Sequence, residues 1–432
     1  MRRFAVLSVA VVSFLAVRPV AAQAPVTVIT ADRLVVGDGQ VIDRPAVVVR
    51  GTRIEAVGPA ARIPVPRGAR VVDLAGHTLL PGFIDSHTHI TSIDNDGGDL
   101  AALRETPAHG AINGTVNARK TLAAGFTTIR EAGSLGYVDV ALRDAIARGL
   151  IPGPRIVPSG PALGILGGHA DVNGYSPFLD LPGTGAIVNG VDEARAQVRR
   201  NVKYGAEVIK VVATGGILSQ GDAPTASQFS DAELAEIVAE ATRLGRKVEA
   251  HAHGGAGLAA AVRAGVASIE HGSLVDDGAI ALMKARGTYL VPTLIILEEI
   301  VRDGEAKGVP AYALEKARAI APERRRRLRA AFQAGVKFAF GTDATSDIHG
   351  RNGEEFRYMV DILGATPMQA IIAATSAAAD LLGLADELGT VAPGKLADVV
   401  AVPGNPLEDV RRLERVAFVM KDGVVFTGPT GR

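Results

Sequence analysis

The apolar residues first come in short runs broken by turns. "VTVITADRLVVGDG", "AVVVRGTRIEAVG" and "ARVVDLAGHTLLPG" are rich in β-branched residues and are separated by Asp-Gly, Gly-Thr and Ala-Gly, which predicts a small β unit from Val26 to about Leu80. The C-terminal stretches "GTVAPGKLADVVAVPG" and "RVAFVMKDGVVFTG" repeat that texture, so residues 26–80 and 386–432 are expected to form one β-sandwich domain built from both chain ends. Between them, over residues 81–385, the period changes. Apolar strands are expected at "GFIDSHTHI", "FTTIREAG", "RIVPSG", "AEVIKVVATGG", "KVEAHAHG", "ASIEHGS", "TYLVPTL" and "KFAFGTDA", with Ala-rich amphipathic segments such as "DAELAEIVAEATRLG" between them. Eight such alternations predict an α/β chain folded as a (β/α)₈ TIM barrel, whose active-site groups sit at the C-terminal ends of the strands.

The extreme N-terminus does not fit that pattern. Met1-Arg2-Arg3, an apolar stretch from Ala5 to Val17 and the small residues Val20-Ala21-Ala22 before Gln23 read as a signal peptide over residues 1–22, so export to a periplasm or secretion is expected. The apolar part is short for a membrane span, and no membrane association is expected once the signal is removed. The 432 residues are 47% hydrophobic and 21% charged, which excludes a disordered or fibrous chain. With 46 basic and 46 acidic residues the formal net charge is zero, so no footprint for nucleic acid shows and a small molecule is the expected partner. The basic run Arg324 to Arg327, with Arg329, falls on a helical pattern and is expected to be a solvated face. There is no cysteine, so a metal would have to be held by His, Asp, Glu or a modified Lys.

Candidate chemistry collects at the strand ends. His87 and His89 alternate along a strand and face one way; they read either as a polar strand end or as two ligands for a divalent cation, which would use both lone pairs. His251 and His253 repeat the alternation, His271 ends the next strand, and Asp343 ends the last. A lone buried His is more often a hydrogen-bonded core residue than a ligand, but four of the eight expected strands ending this way make coincidence a poor explanation. Lys210 lies within the β-branched run "VIKVV", where an ammonium is costly to bury. It reads either as a lysine reaching for the rim or as one carboxylated by CO₂ to an anionic carbamate that could bridge two metals.

These motifs together resemble the amidohydrolase superfamily, in the branch of metal-dependent Xaa-Pro and related dipeptidases and imidazolonepropionase-like proteins. "PGFIDSHTHI", "VIKVVATGG", "VEAHAHG", "SIEHGS" and "FGTDA" are similar to the family's ligand-bearing strands, and "LGTVAPGKLADVVAV" to its return into the sandwich. A narrower resemblance is to the ochratoxin-hydrolysing, carboxypeptidase-like enzymes of that branch. The resemblance implies two divalent metals, most often zinc: His87, His89 and Asp343 on the buried one, His251 and His271 on the more exposed one, and carboxylated Lys210 between them. It selects His251 over His253 as ligand, although both face the same side. A bridging hydroxide would attack an amide carbon while Asp343 accepts its proton and passes it to the leaving nitrogen.

His169 in "ILGGHAD", Tyr137 in "GSLGYVD", His253 and Arg351 in "HGRNGEEF" are expected substrate contacts. For His169 the competing reading is a structural loop histidine, and for Arg351 a salt bridge with Glu354 or Glu355. His77, His109 and His349 are read as non-ligands. The expected substrate is an N-acyl amino acid or dipeptide cleaved at its amide bond, with ochratoxin A, giving ochratoxin alpha and phenylalanine, as one case. A cyclic amide or imidazolone is the alternative, and an inactive binding or assembly scaffold is disfavoured because every ligand position is filled. A homo-oligomer is expected, as is common in such families.

Overall fold

A computed structural model describes residues 25–92, 106–179, 181 and 183–431; the signal peptide expected over 1–22 lies outside them. Strands β1 (Val26–Val35), β2 (Val41–Asp43), β3 (Pro45–Arg50), β4 (Arg53–Pro59) and β5 (Arg70–Pro81) precede the central region. Ten short strands follow: β6 (Phe83–Thr88), β7 (Phe126–Glu131), β8 (Arg155–Val157), β9 (Leu163–Gly164), β10 (Ala186–Ile187), β11 (Val208–Val212), β12 (Lys247–Gly254), β13 (Ser268–Leu274), β14 (Tyr289–Val291) and β15 (Lys337–Phe338). The chain ends with β16 (Val399–Pro403), β17 (Phe418–Lys421) and β18 (Val424–Thr427).

Both chain ends enter one eight-stranded sheet. β5 pairs parallel with β1 on one side and antiparallel with β16 on the other, in the order β18-β17-β16-β5-β1-β3-β4, with β2 on β1. Alternate Val, Ile and Leu side chains of these strands, among them Ile29, Val47, Val72, Leu79 and Val399, gather with Phe418 and Met420 into one buried cluster. β5 then leads through Pro81 and Gly82 directly into β6, which anchors the strand that carries His87 to this sheet.

In the central region strands alternate with helices to give a mixed α/β fold, with parallel sheets β6-β7-β8 and β10-β9-β11-β12-β13-β14-β15. Pairing also continues beyond the short β15. The Ser86 amide donates to the Phe340 carbonyl (2.8 Å), the Asp343 amide to His87 (2.8 Å) and the His89 amide to Ala344 (2.9 Å). Between β8 and β11 the amide of Glu207 donates to the Pro158 carbonyl (2.8 Å). The expected helix "DAELAEIVAEATRLG" is found at Asp231–Arg243. Ser230 starts it with a reciprocal cap, its hydroxyl accepting the Glu233 amide while the Glu233 carboxylate accepts the Ser230 amide. The helix buries Leu234, Ile237, Val238 and Ala241. Among the described residues no helix is long and apolar enough to cross a membrane.

Phe83, Phe126, Phe340 and Phe356 pack together under β6, β7 and the segment after β15, with ring centroids 4.6 to 5.5 Å apart for the nearest pairs. Each fully buried Phe contributes about 1.5–3 kcal/mol. The knot sets the strand starts relative to one another, so His87 and Asp343 arrive side by side.

The basic run departs from expectation. Arg325 and Arg326 are exposed and pair with Glu298 and Glu323, but Arg324 is 1% exposed. In the helix Ala311–Gln333 it shares the inward face with Ala317, Leu328 and Ala331. Helical spacing, which the charge run concealed, turns this one guanidinium inward.

Candidate functional site

The strand ends converge on a cavity of about 300 Å³. His87, His89, Lys210, His251, His271 and Asp343 all line it. On β12 the period of two turns Glu249, His251 and His253 to one side, while Val248, Ala250 and Ala252 pack in the core. Register sets Lys210 beside Glu249 and Val212 beside His251 on the parallel neighbour β11. Lys210 is 4% exposed, so it does not reach for the rim. Close approach here requires a missing side chain: a Cβ on Gly341 would come within 3.0 Å of His87 Cβ and 2.3 Å of Val291 Cγ1.

The hydrogen bonds orient the rings. His87 Nδ1 lies 2.7 Å from Glu270 Oε2. Burial pushes Glu270 up, but Arg130, then His87 and Lys210, more than reverse this and bring it to about 2. The ionised carboxylate accepts, so Nδ1 carries a proton and Nε2 is turned the other way. That Nε2 lies 3.3 Å from Asp343 Oδ1, and His89 Nε2 lies 3.2 Å from the same oxygen. Burial and Lys210 would lower His87, but Asp343 and Glu270 raise it above the usual histidine value. Likewise His251 Nε2 donates to the Gly215 carbonyl (3.2 Å), which leaves Nδ1 bare and 2.9 Å from His271 Nε2. His271 Nδ1 meets Thr293 Oγ1 at 2.7 Å.

Imidazole nitrogens therefore gather at two places, beside the Asp343 carboxylate and between His251 and His271. The donor atoms of His87, His89 and Asp343 lie within 4.8 Å of one another. Two carboxylates, Glu249 and Glu270, also approach His87, but Arg130 sits between them, 2.9 and 2.8 Å from their oxygens. These neutral nitrogen and anionic oxygen donors suit a divalent metal. Burial, and then neighbouring imidazoles, push His251 and His271 well below the usual histidine range and keep both neutral. Burial alone would push the Asp343 carboxyl up; His87 and His89 outweigh it and hold the group well below the carboxylate range.

Two of these residues are conformationally unusual. His271 (φ 70°) and Asp343 (φ 59°) are left-handed, a region that a non-glycine residue enters at a cost and that clusters at functional positions.

The remaining expected contacts divide. His169 and His253 line the cavity. The His169 ring lies 4.5 Å from that of His251, tilted by 34°, and sits where a Gly216 side chain would be, its buried Nδ1 without a hydrogen-bond partner among the described residues. Burial lowers it to about 4. His253 Nδ1 meets Ser273 Oγ at 2.9 Å. Tyr137 and Arg351 are not among the lining residues. The Tyr137 hydroxyl donates to Asn201, and the Arg351 guanidinium is taken up by Glu354 (2.8 Å) and Glu299, not by Glu355. His349 binds Thr121 and the His89 carbonyl, His77 binds Ala75, and His109 caps its own helix at Thr106.

Part of the cavity wall is aliphatic, formed by Ile217, Leu218, Ile296, Leu297 and Ile300. Sequence reading did not pick out Ile296, Leu297 and Ile300, nor the charged layer of Arg130, Glu249 and Glu270 beneath His87. The usable signal for that layer was Glu249, two residues before His251 and so on the same face.

Comparison with known proteins matches residues 78–426 to the amidohydrolase family. An ochratoxinase of Aspergillus niger is 36% identical over 430 residues, covering 94% of this chain and 88% of its own. The crystal structure of a Xaa-Pro dipeptidase with methionine bound in its active site is 38% identical, with a TM-score of 0.86 over 93% of this chain and 100% of that one. An imidazolonepropionase of Cereibacter sphaeroides is 29% identical over 386 residues, 82% of this chain and 87% of its own.

Proposed function

The chain belongs to the amidohydrolase family and is a hydrolase acting on C–N bonds of small molecules; from that premise we propose that its cleft is a binuclear metal centre that cleaves the amide bond of N-acyl amino acids or dipeptides. The observation that carries this reading is the convergence of imidazole nitrogens on two points, beside Asp343 and between His251 and His271, with Lys210 in the same cavity. His87, His89 and Asp343 would hold one cation, His251 and His271 the other, and a carbamate on Lys210 would join them. We take both to be zinc. Bound there, the pair would supply an activated water and polarise the amide carbonyl. A closed (β/α)₈ barrel is the matching architecture, supported by the bonds that continue from β6 to the segment after β15.

The chain's own groups supply the rest. Asp343, kept ionised, accepts the proton of the attacking water and delivers it to the leaving nitrogen. His169, kept neutral, faces the substrate from the Gly216 side. The aliphatic wall suits an apolar amino-acid side chain, such as the methionine held by the dipeptidase relative or the phenylalanine released from ochratoxin A. A cyclic amide is the second reading, favoured by the imidazolonepropionase likeness.

The test is metal content of the purified protein beside release of free amino acid from N-acyl amino acids, dipeptides and ochratoxin A. About two metals per chain, release of phenylalanine or methionine, loss of turnover on chelation and its return with zinc are expected. Two metals with turnover of cyclic amides alone would transfer the assignment to the second reading.

Lys210→Ala is expected to lose nearly all turnover and the paired metals, because no other lining side chain offers an anion between the two points. Added acetate or propionate should restore part of the rate by taking the place of the carbamate. Full activity of Lys210→Ala without such a carboxylate would overturn the carbamate.

A further inference from the structure

We infer that Arg324 is a positioning residue for His271, acting through the turn at Thr293, and that it thereby fixes which ring nitrogen of His271 faces the cleft. This rests on the metal-centre reading, in which His271 is a ligand. Thr293 joins β14 to the helix Leu294–Asp303 with φ 47° and ψ 52°. A β-branched residue rarely adopts that left-handed conformation, and it persists only where its surroundings over-determine it.

Two buried groups hold the turn from opposite sides. Arg324, the one inward member of the basic run, donates Nη2 to the carbonyls of Pro292 (3.1 Å) and Thr293 (2.9 Å). Glu355 accepts the amides of Leu294 (2.8 Å) and Ile295 (2.7 Å). The carbonyls entering the turn and the amides leaving it are thus both fixed. What the turn presents is the Thr293 hydroxyl, 2.7 Å from His271 Nδ1. With Nδ1 engaged, Nε2 is the nitrogen turned toward His251. If the turn relaxed to an ordinary right-handed conformation the hydroxyl would leave the ring. The ring could then turn, and Nε2 would no longer be held toward the cleft.

A purely structural arginine would dock its helix without affecting the orientation of a ring two links away. Arg324 Nη1 lies 3.6 Å from Glu298, its Nε and Nη1 have no hydrogen-bond partner among the described residues, and the hydrogen bonds it does make are those to the turn.

The test compares Thr293→Val, which keeps the shape and loses the hydroxyl, Thr293→Ser, which restores it, and Arg324→Lys, which keeps the buried charge but cannot span both carbonyls in the same way. Histidine ring nitrogen shifts of ¹⁵N-labelled, zinc-loaded protein report which His271 nitrogen binds metal, and zinc affinity is measured against a chromophoric chelator. The parent and Thr293→Ser should show Nε2 bound and the proton on Nδ1. Thr293→Val should lose that single arrangement and bind one of its zinc ions about 10–100-fold less tightly. Arg324→Lys should move both readouts the same way. A folded Arg324→Lys with the parent's shifts and affinities overturns the role of Arg324, and the same result for Thr293→Val overturns the whole chain of contacts. A parent that takes up no zinc would overturn the metal reading instead, while crystal structures of the metal-free parent and variants, read for the orientation of the His271 ring, still decide this inference.

Discussion

Asp343→Asn is expected to lower kcat by about 10²–10⁴-fold, the usual worth of a positioned proton acceptor, with little change in KM. Asparagine keeps the shape and one oxygen beside His87 and His89, where Asp343 Oδ1 now lies 3.3 and 3.2 Å from their Nε2 atoms. It cannot accept a proton. Because the neighbouring imidazoles hold the Asp343 carboxyl well below the usual range against the effect of burial, the parent group is ready to act as a base throughout the neutral region. Metal content measured on the same sample separates loss of a ligand from loss of the acceptor. Most of the metal should remain, since His87 and His89 are untouched. A fully metallated Asp343→Asn with near-parent kcat would remove Asp343 from the proton-transfer role.

The strands and their polar ends were legible because two local rules coincide there. In β12, alternation alone turns His251 and His253 inward, and both line the cavity. At β13 the same rule misleads. Glu270 and His271 are adjacent and should face opposite sides, yet Glu270 binds His87 Nδ1 while His271 reaches His251. The left-handed His271 breaks the alternation, and no pattern of residue types announces that φ. The Arg351 pair with Glu354 was legible at its spacing of three, but its second partner and the fate of Arg324 were hidden for a different reason. Glu299, which takes up Arg351, is 52 residues away in sequence, and the carbonyls that hold Arg324 are 31 and 32 residues away. Such partners are set by packing of the finished fold, which a local charge pattern does not encode.

Beneath the ligands, Arg130→Met is expected to cost about 3–5 kcal/mol of stability at neutral pH, the usual penalty for stranding buried charges. Arg130 is 1% exposed and serves four groups at once. Its Nε donates to the Ser86 carbonyl and lies 2.9 Å from Glu249, while Nη1 and Nη2 donate to Ser268 and Glu270. Burial raises Glu249 despite Arg130, whereas for Glu270 Arg130, then His87 and Lys210, outweigh burial and bring the group to about 2. The sign follows from these directions. The stabilisation carried by ionised Glu270 is present above its unfolded value of 4.5 and is lost as pH falls from there toward 2. Without Arg130 both carboxyl groups would titrate higher in the folded chain, so the variant recovers part of its deficit by taking up protons. Denaturant unfolding of metal-free parent and variant should therefore show a gap that is widest near pH 7.5 and narrows toward pH 4.5. Because Glu270 also fixes the proton of His87 on Nδ1, the variant should bind the metal shared by His87, His89 and Asp343 less tightly even where it is folded. A gap that stays constant across that pH range, or one below about 1 kcal/mol, would mean that the layer is not held together by charge, and that the orientation of His87 has another source.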